Sequence, residues 1–189
     1  MLMVVSELAK HPVVTAMKDS VVKSCTLRSK LKPLVWCCAL ATGLVTWGAQ
    51  ADIVADKSAP GGQQTTIISG ANGTPQINIQ SPNKNGVSHN KYQQFDVDSK
   101  GAILNNSSVN TQTQLGGMIT SNPWLAKGEA SVILNEVNSS NPSRLNGFVE
   151  VAGKRADVII ANPAGITCNG CGFINANKTT LAAAQVLLE

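Results

Sequence analysis

Among the residues of this 189-residue chain that could do chemistry, the tightest grouping is Cys168-Asn169-Gly170-Cys171. Its spacing suits half a zinc site, a redox centre or a local disulfide. Tetrahedral zinc needs two further Cys or His ligands. Past residue 51 the sequence offers only His89 and no other Cys, so no zinc site can be completed within one polypeptide. A thioredoxin-type centre sets its first Cys at a helix amino-terminus in a βαβ setting, whereas Asn169-Gly170 reads as a tight turn between strands. His89 would need a nucleophile and an orienting acid to act in hydrolysis, and the sequence has no Gly-x-Ser-x-Gly elbow. It reads as a structural or surface histidine. Asp96, Asp98, Glu136, Glu150 and Asp157 would have to include a facing pair for glycoside cleavage. Their scatter among hydrophobic positions reads instead as solvated strand faces. The residues therefore predict no catalytic site, no metal and no cofactor.

Compartment decides among the cysteine readings, and the first 51 residues set the compartment. Lys23, Arg28, Lys30 and Lys32 precede an uncharged run of 14 residues from Leu34 to Trp47, followed by Gly48-Ala49-Gln50-Ala51. This is the pattern of a secretory signal, with small residues at Ala49 and Ala51 and cleavage expected after Ala51. The run is short of the roughly 20 residues a membrane-spanning helix needs. Residues 1–22 make the leader long, which an extended leader or initiation at Met17 would explain. Cys25, Cys37 and Cys38 leave with it, so Cys168 and Cys171 enter an oxidising compartment, where a disulfide is the default. The leader also carries six of the 15 Lys and Arg, and from Asp52 onward basic and acidic residues balance. Without a cluster of positive charge, nucleic-acid binding is disfavoured.

Residues 52–189 contain 17 Asn, and helical periodicity is absent until the last dozen positions. Thr65–Ser69, Gln76–Ile79, Phe95–Val97, Ala102–Leu104, Ser131–Leu134, Phe148–Val151, Asp157–Ala161 and Gly172–Ile174 read as short strands rich in Val, Ile, Thr and Phe. Turn formers separate them, among them Pro82-Asn83-Lys84-Asn85-Gly86, Asn105-Asn106-Ser107 and Asn162-Pro163-Ala164-Gly165. Short strands with polar corners suit an antiparallel sandwich or a β-solenoid. Scarce aromatics and Asn-rich corners favour the solenoid, whose narrow core stacks Val, Ile, Leu and Ala and whose Asn side chains can bond along the stack.

Val87 through Val97, Ile103-Leu104-Asn105-Asn106-Ser107, Ala130 through Val137, Leu145-Asn146-Gly147 and Val151 through Pro163 together resemble the amino-terminal secretion domain of filamentous-haemagglutinin-like exoproteins. These are the large passengers of Gram-negative two-partner secretion. The similarity runs from about Gly86 to Asn177 and more weakly upstream to Asp52. It implies a right-handed parallel β-helix with capping amino-terminal strands, acting as the address read by a cognate outer-membrane transporter, with no enzyme activity. Family members carry Asn-Pro-Asn-Leu and Asn-Pro-Asn-Gly-Ile turns that matter for export. The matching positions are Asn122-Pro123-Trp124-Leu125 and Asn162-Pro163-Ala164-Gly165-Ile166, each departing at its third residue. The Cys168–Cys171 pair resembles the haemolysin and contact-dependent inhibition branch.

The resemblance implies residues 52–189 as the secretion domain, exported through the periplasm to the cell surface or medium of a Gram-negative bacterium. Its expected partners are signal peptidase and the inner-membrane machinery, then the periplasmic domains and pore of the transporter. A longer passenger would reach host or bacterial surfaces as an adhesin, haemolysin or toxin. A polysaccharide-cleaving β-helix enzyme is the remaining alternative. The abrupt end at Gln185-Val186-Leu187-Leu188, where the family continues with further coils, reads as a truncated frame or a fragment.

Overall fold

The computed structural model describes residues 52–185. The expected leader with its cleavage positions Ala49 and Ala51, and residues 186–189, lie outside the described residues. The described residues form a parallel β-helix whose amino-terminal end is closed by two antiparallel strands. The first, β1 (Ile53–Ala55), lies against β4 (Val87–Phe95); the second, β2 (Thr66–Ser69), lies against β3 (Pro75–Asn78). A 3-10 turn, Gly61–Gln63, links them.

From β3 onward the polypeptide winds in coils. The first coil runs β3, β4 and a single bridge at Val97. The second runs β5 (Ala102–Asn106), β8 (Val132–Val137) and β9 (Ser143–Leu145). The third runs β10 (Phe148–Gly153), β11 (Ala156–Ala161) and β12 (Ile166–Cys168), and a partial fourth runs β13 (Gly172–Ile174) and β14 (Ala176–Ala182). Equivalent strands stack in parallel, giving one sheet of β3, β5, β10 and β13, a second of β4, β8, β11 and β14, and a third of β9 and β12. Between β5 and β8 the backbone leaves the coil as a hairpin, β6 (Thr111–Thr113) and β7 (Gly117–Ile119).

Register explains the composition. Ile77, Leu104 and Val151 are stacked neighbours on one wall of the core, and Ile133 and Val158 stack on another. Like side chains one coil apart fill a narrow interior without large rings. The two fully buried rings among the described residues, Tyr92 and Phe95, meet edge to face at a centroid distance of 4.9 Å. Asn ladders also form: Asn78 and Asn105 are in register, and Asn105 Nδ2 donates to Asn78 Oδ1 at 2.9 Å. Corners follow from Asn and Gly. In the turn before β4, Asn83 Oδ1 accepts the amides of Asn85 and Val87 at 2.9 and 3.0 Å, while Gly86 sits at φ +77°, where a Cβ would be strained.

Several elements depart from the sequence expectation. The strand expected over Phe95–Val97 is instead the end of β4 followed by the lone bridge of Val97 to Leu145. The positions 178–182 that hinted at a helix belong to β14, paired in parallel with β11. β1, β6, β7, β9 and β12 form where the sequence predicts no strand. β5 is buried along its whole length because the β6–β7 hairpin covers its outer face, packing Ile119 and Leu115 on Ile103 and Ala152.

Candidate functional site

Both Asn-Pro turns lie at corners of the helix, and both are built the same way. In the first, Asn122 caps the 3-10 turn Pro123–Leu125, its Oδ1 accepting the Trp124 amide at 3.0 Å. Its Nδ2 donates to the carbonyls of Ile79 and Asn105, each at 2.9 Å, so one buried amide ties the first two coils together. Pro123 fits the first position of this turn, where its ring presets φ and no amide hydrogen is required. Leu125 fills the core, whereas Trp124 is 44% exposed. The Ser81 hydroxyl donates to the Trp124 carbonyl.

In the second turn, Asn162 Oδ1 accepts the Ala164 amide at 2.9 Å, and Nδ2 donates to the Asn141 carbonyl at 3.0 Å and to Ser143 Oγ at 2.9 Å. Gly165 takes φ +106°, donates to the Asn162 carbonyl at 3.0 Å, and through its own carbonyl accepts the Ser143 amide at 3.0 Å. Ile166 then opens β12 and packs on the core, while Pro163 and Ala164 face solvent. In each turn the third residue's hydrogen bonds run through its backbone, not its side chain. With Trp124 and Ala164 in third place, the asparagine cap of each corner is still made.

Cys168 and Cys171 are joined by a disulfide, with Cα atoms 5.3 Å apart, across the turn from β12 to β13. Gly170 sits at φ +75°, and the Asn169 amide donates to the Leu145 carbonyl of the coil below at 2.9 Å. Cys168 is exposed, and Cys171 packs against the core.

Of the ionisable residues weighed in the sequence, the structure brings His89 together with Glu136, which is buried and not solvated as expected. His89 Nε2 and Glu136 Oε2 lie 2.7 Å apart on the outer face of the β4–β8 sheet, with Lys91 Nζ 3.6 Å from the same oxygen. The other ring nitrogen of His89 faces the Gln63 amide at 3.3 Å, which attaches the capping segment to the sheet. Asp96 and Asp98 each accept a backbone amide, from Arg144 at 2.7 Å and Lys100 at 2.8 Å. No group of three or more His, Cys, Asp or Glu arranged to hold a metal occurs among the described residues.

Three structural residues escape sequence reading. Glu150, read as part of a solvated face, is buried beneath the hairpin and accepts the amides of Gln114 and Leu115. Asn106 reads in the sequence as a turn former; its side chain bonds Ala130 through both carbonyl and amide and also donates to the Lys154 carbonyl. Asp56 accepts the hydroxyl and amide of Ser58 and, at 3.1 Å, Asn138 Nδ2. The Ser58 hydroxyl and the Asn138 amide hold its carboxyl below the usual range.

A family model described as TPS secretion domain matches residues 51–189. The protein is 58% identical over 191 residues to "Toxin CdiA" of Yersinia pestis, covering 100% of this chain and 6% of that protein. It is 47% identical over 139 residues to "Hemolysin" of Serratia marcescens, covering 74% of this chain and 8% of that protein. The crystal structure of the filamentous hemagglutinin secretion domain matches with a TM-score of 0.67 at 43% identity, over 74% of this chain and 44% of that one. The chain thus spans less than a tenth of the length of these curated relatives.

Proposed function

The chain belongs to the TPS secretion domain family, and from that premise we propose that residues 52–189 direct export of an exoprotein through a cognate outer-membrane transporter. The leader takes the polypeptide across the inner membrane. Its periplasmic form, still unfolded, is the species the transporter reads. An extended strand pairs with a sheet edge of the transporter's periplasmic domain, and folding outside the cell then opposes return.

The observation that carries this reading is the concealment of the asparagine side chain of each Asn-Pro turn once folded. Asn122 and Asn162 are 2% and 0% exposed, with their amide groups engaged inside the corners. A transporter can contact those side chains only before the coils close. Folded, the same residues lock the corners and serve the folding step. Asn122, Pro123, Asn162, Pro163, Gly165 and Ile166 are the positions on which export depends in this reading, with Trp124, Leu125 and Ala164 completing the turns.

The test is coexpression with a transporter encoded beside the protein, with a transporter-less strain as control. Transporter-dependent appearance of the Asp52-onward product in the medium supports the proposal. Export undiminished by both Asn122→Ala and Asn162→Ala removes the assignment of the turns. A second reading rests on the names of the relatives: a longer passenger carrying this domain acts as a toxin or haemolysin at cell surfaces. A long frame downstream of residue 189 supports it.

A further inference from the structure

Asn-Gly pairs occur at 72–73, 85–86, 146–147 and 169–170, and the fold treats one of them differently. Asn-Gly is the sequence in which the backbone nitrogen of the second residue most readily reaches the amide carbon at the tip of the first, because glycine offers no Cβ in the way. That nitrogen must leave any hydrogen bond it makes and must have room to close a five-membered ring. Gly73 donates to the Gly70 carbonyl and Gly86 to the Asn83 carbonyl, both at 2.9 Å, so both nitrogens are held in turns. Asn72 is further fixed through its side chain, which donates to the Leu115 carbonyl at 2.6 Å. Gly147 is buried, and a Cβ placed there would collide with the Asp98 carbonyl, so no space surrounds its backbone.

Asn169-Gly170 lacks all of these restraints. Both residues are exposed, open space surrounds the Cα of Gly170, and the Gly170 amide has no hydrogen-bond acceptor among the described residues. The Asn169 side chain likewise has no partner there. The Asn169 backbone is nonetheless anchored by its bond to Leu145, and the disulfide holds the two residues in one short loop.

We propose that Asn169 is a site of spontaneous deamidation in the folded domain, with water as the only co-reactant. The Gly170 nitrogen attacks Asn169 Cγ, forming a C–N bond. The Cγ–Nδ2 bond breaks, the proton from Gly170 leaves with Nδ2 as ammonia, and a succinimide remains. Water then adds to either ring carbonyl and opens it to aspartate or isoaspartate. No electrons are transferred. The product places a carboxylate in the stretch 158–177, which carries no charged residue. In its iso form it adds a methylene to the backbone inside the disulfide loop. The modification is a clock on the age of the folded protein, written in the turn between β12 and β13.

The experiment is incubation of the full-length protein with its disulfide intact at mildly alkaline pH and 37 °C, followed by peptide mapping for the mass gain of about 1 Da and for isoaspartate. A parallel sample is kept in denaturant. Folded, Asn169 is expected to convert at least about fivefold faster than Asn72 or Asn85, the ratio that one retained hydrogen bond of ordinary strength would impose, and faster than Asn146, whose glycine is buried. In denaturant the four sites are expected to converge. Conversion of Asn169 no faster than the other three in the folded sample, or none at Asn169, overturns the proposal. Asn169→Gln, which lengthens the side chain and disfavours the ring, must abolish the early product.

Discussion

Glu150 accepts the Leu115 amide at 2.8 Å, joining a strand of the third coil to the hairpin that left the second. The same carboxylate accepts the Gln114 amide at 2.8 and 3.0 Å through its two oxygens. Hydrogen bonds to an ionised acceptor are worth about 1.5–3 kcal/mol each. With two amides bound, Glu150→Ala is expected to cost about 3–6 kcal/mol, and Glu150→Gln, which keeps an acceptor but no charge, roughly half of that. Denaturant unfolding measures the loss. Hydrogen exchange assigns it, because the amides of Gln114 and Leu115 must lose protection ahead of β5 and β10 if the carboxylate holds the hairpin.

Tyr92 gives a reading of the interior at high pH. It is buried, its hydroxyl donates to Asn135 Oδ1 at 2.9 Å, and burial pushes its phenol strongly upward. In the unfolded state the phenol ionises near pH 10. Above that pH the native state binds more protons than the unfolded state, so this contribution is fully present below about pH 10 and stability falls above it, by about 1.4 kcal/mol per pH unit. Since the sequence has 1 Tyr, tyrosinate absorbance reports on this residue alone. It should appear together with loss of the β signal in circular dichroism. Tyrosinate forming in a still-folded protein would contradict the burial. Tyr92→Phe should remove the alkaline limb at a cost of about 1–2 kcal/mol at neutral pH.

Asp56 contributes to the acid limb. Its carboxyl is held low by the Ser58 hydroxyl and then by Asn138, which lies in the turn after β8. A depressed carboxyl stabilises above its unfolded value, about 3.9, and that contribution is lost as pH falls through the lower folded value. Asp56→Asn should lower stability by about 1 kcal/mol at pH 7, with the gap to the parent closing below about pH 4. Urea midpoints across the acid range for both proteins test this. A gap that is constant with pH would show that the carboxylate charge has no part in it.

The sequence reveals the coils where the interior is apolar and hides them where it is not. Ala102–Leu104, Phe148–Val151 and Asp157–Ala161 place Val, Ile and Leu in stacked positions, and the strands found there extend each expectation by only a few residues. β4 is hidden because the inward positions of its first half are Ser88 and Asn90, which the fold satisfies with the Gln80 backbone and the Leu134 carbonyl. Polar residues facing inward erase the alternation on which strand reading relies. The β6–β7 hairpin is hidden for another reason: its turn, Gln114-Leu115-Gly116, carries no Asn-Gly signal and is stabilised from outside by Glu150. In β14, Thr179–Ala182, within the stretch of helical periodicity, is recruited by pairing with β11, a tertiary override of local preference. The corner asparagines are legible as turn formers, but their bonds between coils depend on partners such as Ile79, 43 residues away.

The first Asn-Pro turn separates folding from recognition. Asn122→Ala removes a buried side chain that caps Trp124 and bonds Ile79 and Asn105, taking a donor from two carbonyls and an acceptor from one amide. The expected cost is about 2–4 kcal/mol. Trp124→Asn restores the family's residue at a solvent-facing position whose side chain takes no part in the corner, so stability should shift by no more than about 0.5 kcal/mol. Transporter-dependent export of the two variants then divides the roles. If the transporter reads the third side chain, Trp124→Asn changes export while the unfolding midpoint stays fixed. If the turn acts through folding alone, export follows stability: it falls with Asn122→Ala and is unmoved by Trp124→Asn. Plotting export against unfolding midpoint for these variants and for Glu150→Ala, which destabilises through the hairpin and makes no hydrogen bond to either turn, distinguishes the cases. A role for Asn122 in recognition requires its loss of export to exceed that of Glu150→Ala at matched stability.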